Sequence, residues 1–335
     1  MINHNQVLEA AKRIESQVIK TPVLQSENLN QILGAEVFFK CENLQKIGAF
    51  KYRGACNSIS QLSQQQKRQG IIAYSSGNHA QAVALVAKEQ NISATIIMPN
   101  NAPKIKIDST KAHGAKVILF DPLETTREQI AEQANPEQTL TLIKPFDNEM
   151  VIAGQGTAAL ELLKEISNLD YILAPCGGGG LLSGTGIIAK HLNPDIKVIG
   201  VEPELADDAA RSFYTGDLHS NPNPPTIADG TRTTSMGDFT FPLVRQYVDE
   251  IVTVSEDSIK NSVAFAFNHL KIVLEPSGAL PIAALMHDIA SINVDNQIGL
   301  GLKEFKPQGR IGAILSGGNI DPQLMIEILD FSQSS

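Results

Sequence analysis

YILAPCGGGGLLSGTGIIAKH, Tyr171 to His191, is the stretch from which the rest of the chain can be read. The apolar run Tyr171 to Pro175 predicts a buried strand, four consecutive glycines break it, and a small-residue apolar segment of helical length follows. Glycines lacking Cβ let backbone amides converge on one point. The helix behind them adds unpaired N-terminal amides and its positive dipole end, so an anionic oxygen cluster such as a phosphate suits the turn. A P-loop is excluded, because Leu181, Leu182 and Ser183 stand where a lysine would have to reach a nucleotide. A dinucleotide fingerprint can be laid over Gly184, Gly186 and Ala189, but these fall inside the helix and read as close helix packing. A plain surface turn is the other reading of Gly177, Gly178, Gly179 and Gly180. Against it stands the backbone entropy of ordering four glycines between apolar elements without a ligand.

The chain has 335 residues, of which 42% are hydrophobic, enough for two domains or one large domain carrying an insertion. Its net charge is −9, it has no Trp and only 5% aromatic residues, and its basic residues form no run, which argues against nucleic acid as a partner. The ligand is expected to be small. The first twenty residues are polar and amphipathic, and no apolar stretch approaches about 18 residues, so no membrane is expected and the location is expected to be cytoplasmic. Cys41, Cys56 and Cys176 are odd in number and far apart, which predicts buried free thiols.

From Ile71 onward the pattern alternates regularly: strand to Ser75, helix from His79 to Gln90, strand Ala94 to Met98, helix near Lys104 to His113, strand Lys116 to Phe120, helix Thr126 to Ala134, and strand Leu140 to Ile143. A second set follows, with a helix from Gly156 to Ile166, the glycine-loop strand and helix, and strands at Lys197 to Val201, Ile251 to Val254 and Arg310 to Leu315. Helices are predicted from just after Lys51 to near Gly70, from Asp257 to Leu270 and from Pro281 to Met286. The fold class is α/β, with two doubly wound open-sheet lobes. Residues 1–52 and 146–335 form the larger lobe and 53–145 a smaller inserted one, with the site in the cleft at the carboxyl ends of the strands.

Four loops at strand ends carry more chemistry than packing requires. In GAFKYRG, Gly48 to Gly54, Lys51 stands beside apolar Phe50 and is placed for desolvation, which would make it a Schiff-base nucleophile; a solvated lysine is the alternative. In SSGNHAQ, Ser75 to Gln81, hydroxyls and an amide crowd the entry of a helix and suit a carboxylate, with N-capping by Ser76 or Asn78 as the simpler role. The third loop is the glycine stretch. The fourth is ILSGGN, Ile314 to Asn319, a strand running into Ser316 and two glycines. An imine-forming lysine, a phosphate cradle and a carboxylate cradle together point to pyridoxal 5′-phosphate acting on an amino acid.

GAFKYRGA, SSGNHAQA, CGGGGLLSG and ILSGGN, in this order and spacing, resemble the fold-type-II pyridoxal-phosphate enzymes of the serine/threonine dehydratase and serine racemase family, over about Thr21 to Gln323. The resemblance implies that Lys51 holds the cofactor and, once released, moves the α-proton, while Phe50 packs beside the ring. It gives Asn78 to the cofactor's 3′-oxygen, the glycines with Leu181 to its phosphate, and Ser316 to the pyridine nitrogen. Ser76 resembles the opposite-face acid/base of racemase-like members, and Ser75, Ser76, Asn78 and His79 would meet the substrate carboxylate. Arg127 aligns with an arginine facing the substrate; an ordinary exposed helix arginine reads the same way. In VEPELADDAA, Glu202, the Ala206 carbonyl and Asp208 match the family's divalent-cation site, for Mg²⁺, Mn²⁺ or Ca²⁺, with a solvated acidic turn as the alternative. Glu275 matches a glutamate near the cofactor, with helix capping as its other reading. A homodimer is usual for such relatives.

Ala49 and Ala80 replace residues often serine and glycine in the family, and TRTTSMG, Thr231 to Gly237, lies where its members differ and where the substrate side chain is read. About 15 residues follow the last motif, so the C-terminal regulatory domain of biosynthetic threonine deaminases is not expected. The expected activity is elimination from a β-hydroxy amino acid (L-serine, L-threonine or threo-3-hydroxyaspartate) to a 2-oxo acid and ammonia. A serine racemase with side dehydratase activity is the alternative enzyme, and a non-catalytic cofactor-binding protein the alternative of another class. AFKYRG lacks the SxKDR pattern of β-replacement synthases.

Overall fold

The computed structural model describes residues 2–75, 77–286 and 308–334. Two sheets organise them. The larger contains β1 (Val23–Leu24), β2 (Ala35–Cys41), β7 (Tyr171–Pro175), β8 (Lys197–Pro203), β9 (Glu250–Val254) and β10 (Gly309–Leu315), in the order β1-β2-β10-β7-β8-β9. Only β1 runs antiparallel to its neighbour. The smaller sheet contains β3 (Ile71–Tyr74), β4 (Ala94–Pro99), β5 (Lys116–Phe120) and β6 (Thr141–Leu142), all parallel, in the order β5-β4-β3-β6. The central strands are apolar without alternation because helices cover both faces of a parallel sheet.

Strand order decides where a ligand can sit. In the larger sheet the chain steps from β7 to β8 and β9 in one direction, and β10 returns on the other side of β7. In the smaller sheet it steps from β3 through β4 to β5, and β6 returns on the other side of β3. Each reversal leaves a crevice at the carboxyl ends, where successive loops diverge. The loops after β7 and β10 are the glycine stretch and Ser316–Asn319; the loops after β3 and β6 are Ser75–Asn78 and Lys144–Phe146.

Most expected elements stand within a residue or two of their predicted bounds, and the departures have local causes. The helix expected at Gly156 begins at Glu149, capped by the Asn148 side chain on the amides of Met150 and Val151. Its glycines are contact points rather than breakers: a Cβ on Gly156 would fall 2.7 Å from the Gly184 carbonyl oxygen, and one on Gly184 2.5 Å from that of Ile152. Thus the in-helix glycines after the loop serve packing, as expected. The single helix predicted just after Lys51 includes that lysine as its first residue and is two helices, Lys51–Ser60 and Gln64–Gln69, because Ser63 starts the second with a capping box. The helix expected over Asp257 to Leu270 runs Glu256–Phe265 and widens into a π turn at Ala266–Leu270. Pro276 opens, at the first turn, the helix expected only from Pro281. Helices Asp208–Thr215, Thr240–Tyr247 and Pro322–Ser334 were not expected. The three cysteines are free and buried.

Because the Gly156–Gly184 crossing sets backbone against backbone, Gly184→Ala has no flexible neighbour to displace. We expect it to destabilise the protein by about 2 kcal/mol or more, read as a lowered denaturant midpoint with unchanged slope.

Candidate active site

The loops of the two switch points close on one cleft, which encloses about 940 Å³ of space, part of it open to solvent. Lys51 opens the helix Lys51–Ser60, with Phe50 before it. The Phe50 amide donates to the Ser316 carbonyl at 3.0 Å, and Ala49 bridges to Gly317, so the lysine loop is stitched to the end of β10. Lys51 Nζ donates to the Pro145 carbonyl at 2.8 Å and lies 5.1 Å from the Phe50 ring centroid. The residue keeps part of its surface open to the cleft, yet the surrounding walls desolvate its amine. That burial lowers its pKa from 10.5 to about 8, against the opposing pull of the Glu275 carboxylate.

Across the cleft, Gly179 has φ of 84°, a left-handed conformation that favours glycine, and it caps the helix Gly180–Leu192 without any side-chain bond. The first amides of that helix are therefore left for a ligand. The Phe146 ring lies where any side chain on Gly178 would collide, and Thr240 Oγ1 donates to the Gly178 carbonyl at 2.7 Å, holding the turn from outside. Gly177, Gly180 and Leu181 also line the cleft. Ser316 is buried, lines the cleft, and its Oγ donates weakly to the Ser277 carbonyl at 3.5 Å.

Ser75 accepts from the Gly77 amide at 3.1 Å. The helix Asn78–Glu89 is capped by Gly77 and not by a side chain of Asn78, which corrects the capping alternative; Ser76 lies outside the described residues. Asn78 Nδ2 donates to Glu275 Oε1 at 2.6 Å, and its Oδ1 accepts from Asn319 at 2.9 Å. His79 is buried, and burial together with the Lys51 charge lowers its pKa to about 3. Its Nε2 must donate to the Ile143 carbonyl at 2.9 Å, so the neutral ring presents Nδ1 as an unpaired buried acceptor. In this neutral form Nδ1 accepts and does not donate, whereas the backbone amides at the helix entry donate in every protonation state. Arg127 reaches the mouth of the cleft over the Tyr74 ring, 4.7 Å away, and pairs with Glu128 at 2.8 Å.

Glu275 stands at the cap position of the helix Pro276–Leu285, but its side chain makes no capping bond and turns into the cleft. Burial raises its pKa to about 7, although Lys106 opposes this. Its Oε2 is buried without a hydrogen bond, 3.6 Å from Lys106 Nζ. Lys106 itself pairs with Asp229 at 2.5 Å. Neither Lys106 nor Asp229 stood out in the sequence, since each is an ordinary residue of a loop or helix; nor did Pro145 and Phe146. A sequence signal existed for Asp229 only in its proximity to the TRTTSMG segment.

The expected metal ligands lie away from this cleft. Glu202, at the end of β8, accepts from the amides of Ala209 and Ala210 at 3.2 and 2.8 Å, and Ala206 is buried in the turn between. Both carboxyl oxygens of Asp208 are buried without a hydrogen-bond partner. Burial, reinforced by the Asp208 charge, raises the Glu202 pKa well above the usual range, and burial pushes Asp208 up to about 7.

A match to the family described as "Pyridoxal-phosphate dependent enzyme" spans residues 14–302. The chain belongs to this family. It is 44% identical over 318 residues to the L-threo-3-hydroxyaspartate ammonia-lyase of Saccharomyces cerevisiae, covering 95% of this chain and 93% of that protein. It is equally 44% identical to the serine racemase of Schizosaccharomyces pombe, over 95% and 94% of the two chains. The structure of maize serine racemase superposes with a TM-score of 0.89 at 38% identity, covering 99% and 98%. The fold-type-II architecture inferred from four short motifs is thus that of the family.

The uncapped helix start, the glycine turn and the desolvated lysine fit pyridoxal phosphate. Lysine attacks the cofactor's aldehyde only as the neutral amine, and that form becomes half-populated near pH 8 here, about 100-fold more than an unperturbed lysine at that pH. Uptake of pyridoxal phosphate by cofactor-free protein, followed by its visible absorption, should accelerate with pH through about 8 and then level off. Acceleration continuing towards 10.5 would show that Lys51 is not desolvated.

Proposed function

We propose that the chain is a pyridoxal-phosphate-dependent ammonia-lyase that takes a β-hydroxy amino acid, with L-threo-3-hydroxyaspartate, L-serine and L-threonine as candidates, to a 2-oxo acid and ammonia. The observation that carries the reading is the pairing of a desolvated Lys51 with a neutral hydroxyl, Ser316, on adjoining loops of one cleft. When bound, the cofactor withdraws electrons from the attached amino acid and so acidifies its α-hydrogen. Lys51 Nζ, held on the Pro145 carbonyl, is the base for that proton. Ser316 offers no negative charge to keep a ring nitrogen protonated, so charge at the α-carbon is poorly stored and departure of the β-hydroxyl is favoured over a long-lived carbanion. Loss of the α-proton and β-hydroxyl as water, then hydrolysis of the C–N unit, balances the reaction. Phe50, Asn78, Glu275 and the glycine turn with Leu181 would hold the cofactor, and the Ser75–Asn78 amides the substrate carboxylate. Arg127 and His79 flank that space.

Serine racemisation is the second reading, supported by the 44% identical racemase and by the position of Ser76 in the carboxylate loop. The two separate in one assay of oxo acid and chiral amino acid. Lys51→Ala should abolish both products and the bound cofactor's visible absorption. Ser76→Ala should lower inversion by about 10²-fold or more while elimination from the L-isomer survives. D-serine accumulating well ahead of pyruvate would reverse the order of the two activities, and no turnover of any amino acid would sink both.

We further propose that Glu202, the Ala206 carbonyl and Asp208 hold a divalent cation. Support comes from the two orphaned Asp208 oxygens beside a second buried carboxylate, an arrangement whose charge calls for a cation of hard oxygen preference such as Mg²⁺, Mn²⁺ or Ca²⁺. Magnesium should therefore raise the melting temperature of the EDTA-treated protein and leave Asp208→Asn unmoved. An equal rise in both would count against the site. The reading also includes an inserted lobe over 53–145, supported by a four-stranded sheet drawn wholly from that segment. A homodimer and a cytoplasmic location complete it, the latter supported by three reduced, buried thiols.

A further inference from the structure

The cleft is cationic in a chain of net charge −9. Four cations line it, Lys51, Lys106, Arg127 and Arg232, against two anions, Asp229 and Glu275. Most of these cations are already engaged. Lys106 is neutralised by Asp229 and faces Glu275; Lys51 is committed to the Pro145 carbonyl; Arg127 rests on Tyr74 and pairs with Glu128. Among the described residues of the lining, Arg232 alone is a cation whose side chain has neither hydrogen bond, ion pair nor ring contact. Beside it, the Thr233 hydroxyl is buried and likewise has no partner. An unpaired guanidinium and, one residue on, an unsatisfied buried hydroxyl lining the same cleft have a defined complement, because both donate and a carboxylate accepts from both.

The segment that carries them is held in place. The Gly230 amide donates to Ser277 Oγ at 2.8 Å, Thr231 Oγ1 donates to the Ala228 carbonyl at 2.8 Å, and the Thr231 backbone packs so closely on Gly177 that a Cβ there would lie 2.9 Å from Thr231 Cα. Arg232 and Thr233 therefore emerge directly beyond the phosphate turn. On the reading above, amides of the glycine turn would serve the phosphate and the start of the helix Asn78–Glu89 the α-carboxylate, which leaves this donor pair without an anion if the substrate is serine.

We propose that Arg232 and the Thr233 hydroxyl bind a second carboxylate on the substrate side chain and so set a preference for an acidic β-hydroxy amino acid over L-serine. The inference rests on the elimination reading above and narrows its substrate class. A charge-assisted hydrogen bond contributes about 1.5–3 kcal/mol, or roughly 10- to 150-fold, with the lower end of that range expected for an exposed arginine.

The test compares kcat/KM for L-threo-3-hydroxyaspartate and L-serine in the holoenzyme and in Arg232→Gln, Arg232→Lys and Thr233→Val. The unsubstituted enzyme should favour the hydroxyaspartate. Arg232→Gln should lose about 10-fold or more on it, mainly through KM, and stay within about threefold on serine. Arg232→Lys should recover part of the loss, and Thr233→Val should show a smaller loss of the same selectivity. Equal losses on both amino acids would make Arg232 a structural residue and overturn the inference while leaving the elimination reading intact, as would an unchanged KM for the hydroxyaspartate. Absence of elimination from either amino acid by the unsubstituted enzyme would overturn the functional reading and this inference with it.

Discussion

A buried ionic cluster two residues beyond Lys51 is the constraint on which the cleft depends. Arg53, fully buried, bonds Glu42 through Nε and Nη2 at 2.7 and 2.9 Å and Glu161 through Nη1 and Nη2 at 2.7 and 2.9 Å. Lys40 completes it, bonding Glu161 at 2.6 Å and the Thr21 carbonyl at 2.7 Å, while Thr21 Oγ1 donates to Glu42. Two cations face two anions, so the cluster is neutral as a whole. Its members come from β2 and the turn after it, from the helix Lys51–Ser60 and from the helix Glu149–Glu165. Bidentate arginine geometry fixes angles as well as distances. Removing any one partner would strand a charge out of water, at a cost of about 3–5 kcal/mol. The helix that presents Lys51 is thereby fixed against the larger sheet at its first turn, with little freedom left to the start of the Lys51 side chain.

The same helix lies against the Glu149–Glu165 helix, which in turn crosses the helix behind the glycine turn at Gly156 and Gly184. Lys51 and the glycine turn are therefore referred to one common helix. The second sheet contributes through loops only, those after β3 and β6. Because Pro145 both follows β6 and accepts from Lys51, the amine is positioned by one sheet and oriented by a carbonyl supplied from the other.

What was legible in the sequence follows from range. The strands could be read because glycine, proline or polar turns bound apolar runs, and four motifs could be read because each is local: GAFKYRG, SSGNH, CGGGG and LSGGN all lie at ends of strands or starts of helices. Helix Glu149–Glu165 was clipped because glycines 154 and 156 look like breakers until their partner helix is present. Lys106 was invisible for a stronger reason, since its partner Asp229 lies 123 residues away and neither residue departs from a solvated charge in its own surroundings. The tautomer of His79 depends on the Ile143 carbonyl, and a histidine in a carboxylate-binding motif gives no sign of it.

How the cleft handles negative charge links these features. The glycine turn contains no lysine or arginine; it offers amides and the helix dipole, which attract an anion without adding a titratable or mobile charge. Arginines at that position would hold a phosphate as well, yet they would also attract any other anion entering the cleft. With Lys106 paired to Asp229 and facing Glu275, and Arg127 paired to Glu128, unpaired positive charge in the described lining is left chiefly on Arg232. On the proposed reading, discrimination among substrates could change at the wall that carries Arg127 and Arg232 without disturbing Lys51 or the glycine turn. Side chains on the wall come from the helix after β5 and from the Thr231–Gly237 segment, which carry none of the ionic cluster that fixes Lys51.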